Sequence, residues 1–186
     1  CLTVEDKTVL DSWVKKGKIK TPSEDLQSEQ FLTLLELMEG HDFEQYEISN
    51  FSKVGFESKH NSNYWKGEWY LGIGPSAHSF NGVSRSWNVS NNQKYMNDIK
   101  AGGMIPETEI LTKENQFNEK ILTGLRTKYG VKIIELEAIC ALTRDFNHDC
   151  NSFVEKGWME RRDGFLFLTK EGKLRADFVA SELFVD

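Results

Sequence analysis

Phe31, Leu34, Leu35 and Met38 recur at helical spacing. Just upstream, Thr21 is placed to cap free amides, Pro22 to fill a first turn that needs no N–H, and Glu24 to close a capping box. Gly40 then ends the helix, expected as a left-handed cap. In "FEQYEISNF", Phe43 to Phe51, Tyr46 and Ile48 alternate with Glu47 and Ser49, the period of a strand with two different faces. With Leu2-Thr3-Val4 as an earlier strand, the order is strand, helix, strand, as a parallel α/β sheet or barrel supplies.

The pattern then lapses. "KHNSNYWKGEWYLGIGPSAHS", Lys59 to Ser79, holds two histidines, two tyrosines and two tryptophans without strand alternation or helical spacing, and reads as an irregular loop. Ser90 or Asn91 starts a helix carrying Tyr95, Met96 and Ile99 that stops at Gly102-Gly103, and "IPETEILT" reads as a linker. From Thr112 the texture changes to short helices at about 113–128, 132–142 and 145–156, the first and third closed by Gly130 and Gly157. A hairpin over 158–168 should turn at Asp163-Gly164, with a last helix after Thr169. Two units are expected, 1–106 and 107–186, the second a small winged-helix-like α+β domain, with the boundary between about Gly102 and Thr112.

Across 186 residues, 39% hydrophobic and 12% aromatic content is enough for a packed core. The net charge of −6 divides as eleven Lys/Arg against sixteen Asp/Glu over 1–110 and twelve against thirteen over 111–186, so neither part is a basic nucleic-acid footprint. A recognition helix before the hairpin would carry Asp145, Asp149 and Glu155 against Arg144 and Lys156. Arg161 and Arg162 do not supply the missing positive surplus, so specific DNA binding is not expected. Cys1, Cys140 and Cys150 are an odd set without short metal spacing, which points to a reducing cytoplasm and no disulfide. Apolar runs fall short of the roughly eighteen residues of a membrane span. The opening "CLTVEDKT", strand-like and without a leader, suggests a chain cut from something longer.

His148 and Cys150, two apart on one helix, diverge, and Cys150 beside Phe146 and Phe153 reads as core, as does Cys140 beside Ile139 and Leu142. His60 lies in a polar stretch without apolar periodicity. Its imidazole suits iron or zinc, and Tyr64 and Trp65 offer flat surface to a macrocycle; alternatively His60 and Asn61 bond backbone while the rings cover an end of the fold. Gly72 and Gly74 mark either a close backbone approach or a tight turn, and His78 follows at a strand or loop end, where α/β proteins gather site residues. Glu47 is read as pointing inward or as solvated.

"YEISNF", "HNSNYW" and "YLGIGPSAHS", in that order, resemble the radical S-adenosylmethionine family of oxygen-independent coproporphyrinogen III oxidases, and most closely its haem-chaperone (HemW-like) branch. The resemblance covers essentially the whole chain. It implies the later part of a three-quarter (β/α)6 barrel followed by the winged-helix-like domain. The family's Cys-x-x-x-Cys-x-x-Cys run, which holds a [4Fe-4S] cluster that binds S-adenosylmethionine, has no counterpart here, so the chain alone should neither assemble the cluster nor perform radical chemistry. His60-Asn61-Ser62-Asn63-Tyr64 matches the branch's H-N-x-x-Y, linked to haem binding. By resemblance His60 is an iron ligand, and Asn61, Tyr64, Trp65, Gly72, Gly74 and His78 are candidate haem-contact or cofactor residues. Ser76 stands where the family commonly has glycine. The implied partners are haem or porphyrin and a haem-acceptor protein. The alternatives are an oxidase turning two propionates into vinyls or a non-catalytic interaction module, and dimerisation through an exposed barrel edge is expected.

Overall fold

The computed structural model describes residues 4–21, 23–103 and 106–186. Helix α1 spans Val9–Lys15 and α2 spans Glu24–Glu39. The cap of α2 is Ser23 rather than Thr21: the Ser23 hydroxyl accepts from the Leu26 amide at 3.3 Å, so the helix starts two residues later than the capping-box reading. Pro22 lies outside the described residues. The helix ends at Gly40 as expected, but Gly40 is right-handed (φ −67°), and the left-handed residue is Asp42.

The single strand expected over Phe43 to Phe51 is a hairpin. β1 (Glu44–Glu47) turns at Ile48-Ser49 into antiparallel β2 (Asn50–Ser52), with a bulge between Gln45 and Glu47. A second sheet comprises β3 (His78–Phe80), β4 (Ser84–Trp87) and β5 (Glu107–Ile110). Thus the stretch read as a linker contains a strand that pairs with β4 from Ser84↔Ile110 to Trp87↔Glu107. Its alternating Glu107, Thr108, Glu109, Ile110 is the period-2 signal that the linker reading passed over. All strand pairs among the described residues are antiparallel, so the parallel pairing expected from the strand, helix, strand order is not found among them; short turns such as that between β1 and β2 join neighbouring strands directly. Of the expected first strand, Leu2 and Thr3 lie outside them.

Between the first two sheets run α3 (Lys59–Lys66), in the stretch expected to be irregular, and, after β4, α4 (Asn92–Lys100), capped by Asn91 as expected. From Thr112, whose side chain caps it, α5 (Lys113–Leu125) leads to β6 (Val131–Lys132), α6 (Ile133–Ile139) and α7 (Arg144–Glu155). The hairpin of β7 (Met159–Arg162) and β8 (Phe165–Leu168) follows, then α8 (Lys170–Lys173) and α9 (Ala176–Glu182). Asp163 (φ 52°) and Gly164 (φ 79°) form the expected tight turn, in which both central residues must be left-handed. The sheet order is β6-β8-β7.

The main core is built from this second part: Phe117, Ile121 and Leu125 of α5, Leu136 of α6, Phe146, Cys150 and Phe153 of α7, and Val179 of α9. Cys150 is core as expected, and burial pushes its thiol up to about 12. Among the described residues before Leu111, Leu35 and Tyr46 are the buried large hydrophobics, while Val54, Phe56, Trp69, Leu71 and Ile73 are each more than three-quarters exposed. No helix among the described residues is long and apolar enough to cross a membrane. Phe117 is fully buried, with its ring 5.6 Å from that of Phe146. Phe117→Ala is expected to cost about 3–5 kcal/mol and Val54→Ala almost nothing, as read by chemical-denaturation midpoints; equal shifts would contradict this placement of the core.

Candidate functional site

Ser58 and Gly67 make α3 a helix. The Ser58 hydroxyl accepts from the Asn61 amide at 3.2 Å, and left-handed Gly67 (φ 70°) closes the other end. The loop expected here is therefore corrected, since the polar composition hid a cap-to-cap helix of two turns. The consequence is geometric: residues four apart share a face, so His60 aligns with Tyr64 and Asn61 with Trp65.

The first pair faces outward. The His60 and Tyr64 rings meet edge-on with centroids 5.0 Å apart, both residues are exposed, and the His60 ring makes no hydrogen bond among the described residues. Tyr64 continues to Tyr70 at 4.6 Å and Tyr70 to Phe80 at 6.0 Å, a run of rings from α3 to β3. The second pair faces the fold. The Asn61 amide nitrogen donates to the Tyr46 hydroxyl at 3.3 Å, and its carbonyl oxygen accepts from Trp65 Nε1 at 3.2 Å. The Arg126 guanidinium lies 5.4 Å from the Trp65 ring centre.

Arg126 reaches Glu47 at 3.5 Å and Asp177 at 2.7 Å. Glu47, read as inward or solvated, is 2% exposed and also accepts from Asn50 Nδ2 at 2.5 Å. Backbone bonds reinforce the contact: the Ile48 amide donates to the Arg126 carbonyl at 2.9 Å and the Lys128 amide to that of Tyr46 at 3.1 Å. Lys128 is clamped by Glu44 and Glu57; burial opposes its charge, but the two carboxylates raise the ammonium above its ordinary value.

Gly72, Gly74 and His78 form a separate group. A side chain on Gly72 would stand 2.2 Å from the His78 carbonyl oxygen, so this glycine serves backbone against backbone. Its amide donates to the Ser79 hydroxyl at 2.9 Å, the Gly74 amide to the Tyr95 hydroxyl at 3.2 Å, and the buried Asn88 amide bonds both glycine carbonyls. His78 opens β3, exposed, with its ring 6.0 Å from Trp87.

A cavity of about 500 Å³ opens between α3, β3–β4 and α5, lined by Tyr64, Trp65, Tyr70, Phe80 and Lys120 among others. His60, Gly72, Gly74 and His78 are not in its lining. Tyr46, Tyr70, Phe80 and Arg126 were not singled out by sequence reasoning. Arg126 meets Glu47 across 79 residues, and no local pattern signals such a pair. Among the described residues no three His, Cys, Asp or Glu side chains converge as a metal cage. A lone exposed imidazole beside aromatic rings instead fits an axial ligand to iron already held in a macrocycle.

No protein-family model matches the chain. It is 35% identical over 176 residues to the heme chaperone HemW of Bacillus subtilis (strain 168), covering 93% of this chain and 46% of that protein. It is also 35% identical over 136 residues to the heme chaperone HemW of Lactococcus lactis subsp. lactis (strain IL1403), covering 73% and 36%. The chain thus spans about half or less of these relatives. Among solved structures it is similar to coproporphyrinogen III oxidase (HemN) from Escherichia coli, described as a radical SAM enzyme, with a TM-score of 0.68 at 13% identity over 91% of this chain and 44% of that one. That likeness shows the fold.

Removing the guanidinium strands buried Glu47, so Arg126→Ala is expected to lower stability by about 3–5 kcal/mol. Arg126→Lys should recover only part of it, lacking the fork that serves Glu47 and Asp177 together. Denaturation at neutral pH decides; a wild-type midpoint for Arg126→Ala would contradict the assigned role.

Proposed function

Because the chain belongs to the radical S-adenosylmethionine family that includes the heme chaperones HemW, we propose that it is part of a haem chaperone, holding haem as cargo for transfer to an acceptor protein. The observation that carries this is the outward pair on α3, an unbonded imidazole at His60 with the Tyr64 ring beside it. A neutral imidazole nitrogen of His60 donates to haem iron, and Tyr64 lies against the ring or its edge. Asn61 and Trp65 hold the helix in place, since their polar atoms are bonded to each other and to Tyr46. Gly72 and Gly74 shape the turn before His78, which is the reserve iron ligand.

In this reading the chain contributes the later strands of a partial (β/α) barrel and a winged-helix-like part from residue 107. β5 ties the two together through its pairing with β4. The protein works in a reducing cytoplasm, makes no nucleic-acid contact, and is prone to dimerise through an exposed sheet edge. A [4Fe-4S] cluster does not fit the described cysteines: Cys150 is buried with a raised pKa, and Cys140 is ten residues away. The cluster and S-adenosylmethionine belong to the part of such a protein that carries Cys-x-x-x-Cys-x-x-Cys.

The alternative, an oxidase acting on coproporphyrinogen III, draws on the fold likeness alone. A metal-free porphyrinogen needs no axial ligand, whereas His60 offers one. In the full-length protein, His60→Ala is expected to remove the axial-ligand signature from the Soret band and weaken haem binding at least about tenfold. Tyr64→Phe should lose less, because the apolar ring survives. A wild-type Soret spectrum and affinity for His60→Ala would remove His60 as the ligand and turn attention to His78. Anaerobic conversion of coproporphyrinogen III at enzyme-like turnover, with no response to haem, would replace the chaperone by the oxidase.

A further inference from the structure

The cavity beside Tyr64 does not end at Trp65. A second cavity of about 260 Å³ continues on the far side, and the two share Trp65, Lys66, Lys120 and Thr123 in their linings. Together they form one cleft along α3 and α5. At the 500 Å³ end its lining includes the rings of Tyr64, Tyr70 and Phe80, beside Arg85 and Glu119; at the junction stand two ammonium groups. Lys66 Nζ lies 5.5 Å from the Tyr129 ring centre and has no carboxylate at ion-pair distance among the described residues. Lys120 is paired with Glu135 at 2.6 Å, with both side chains more than a third exposed, so the bond is one that a better placed carboxylate can displace. A cleft of this size, walled in part by aromatic rings and holding two cations, is complementary to an aromatic ligand with carboxylates on one edge.

We propose that this cleft seats the tetrapyrrole ring itself, with its propionate carboxylates at Lys66 and Lys120. The proposal rests on the haem reading and deepens it: His60 takes the iron, and the cleft takes the ring, iron or no iron. Tyr64 belongs to both places, edge-on to His60 and lining the cleft.

The test uses full-length protein and three probes: haem, metal-free protoporphyrin IX and protoporphyrin IX dimethyl ester. Protoporphyrin IX has no iron to ligate, so its binding reads the cleft without the iron bond. The double variant Lys66→Gln, Lys120→Gln, with its fold verified by circular dichroism, should bind it about tenfold more weakly. The ester should bind wild type as weakly as the acid binds the double variant, and should lose nothing further in that variant, because the pair can be broken once only. Equal losses for acid and ester, or undiminished binding of the acid by the double variant, would overturn the proposal. An unchanged Soret band in His60→Ala would refute the iron ligand while leaving the cleft result standing, so the two readings fail separately.

Discussion

The buried pair of Glu47 and Arg126 is the constraint on which the arrangement depends. Glu47 is 2% exposed, and Arg126 is the cation at ion-pair distance from it among the described residues. A carboxylate held so far from water persists only with a charged or multiply hydrogen-bonded partner, and here Arg126 and Asn50 supply both. That requirement fixes β1 against the end of α5. The described residues before α5 bury few large hydrophobic side chains, so their position relative to the main core rests largely on polar contacts: this pair and the backbone bonds beside it, the Lys128 clamp, Arg85 to Glu119 and Lys173 to Gln45.

The same guanidinium extends the constraint to α3. Stacked near Trp65, it sets the inner face of the helix, and Asn61 locks that face to Tyr46. An α-helix with one side committed presents its other side in a defined direction, which leaves the His60–Tyr64 pair outward and rigidly mounted. The proposed carrier role needs this combination, an accessible ligand on a fixed support. In that reading the first and last residues of H-N-x-x-Y make the ligand face, and its second residue makes the docking face.

Much of the second part was legible from the chain. The helix after Thr112, Cys150 as core and the Asp163-Gly164 turn are local signals, and local physics realises each of them. The earlier part was read less well because its decisive features are not local. A hairpin turning at Ile48-Ser49 lacks the glycine or asparagine that marks tight turns, so two strands read as one. The helix around His60 is short and polar, and its caps at Ser58 and Gly67 were outweighed by the absence of an apolar stripe. The candidate residues divide into two groups, α3 and the glycine turn, and that division depends on pairings such as Tyr70 with Phe80 that only the folded chain creates.

The central proposal is that α3 is a supported platform that supplies the iron ligand to haem. Hydrogen–deuterium exchange of the full-length protein with and without haem tests it most directly, because it reads each segment without altering a residue. The account predicts that haem slows exchange in the α3 segment 59–66 and in the facing part of α5, while the core strands β7 and β8 remain unchanged. Protection that appears elsewhere and leaves 59–66 as in the haem-free protein would contradict it.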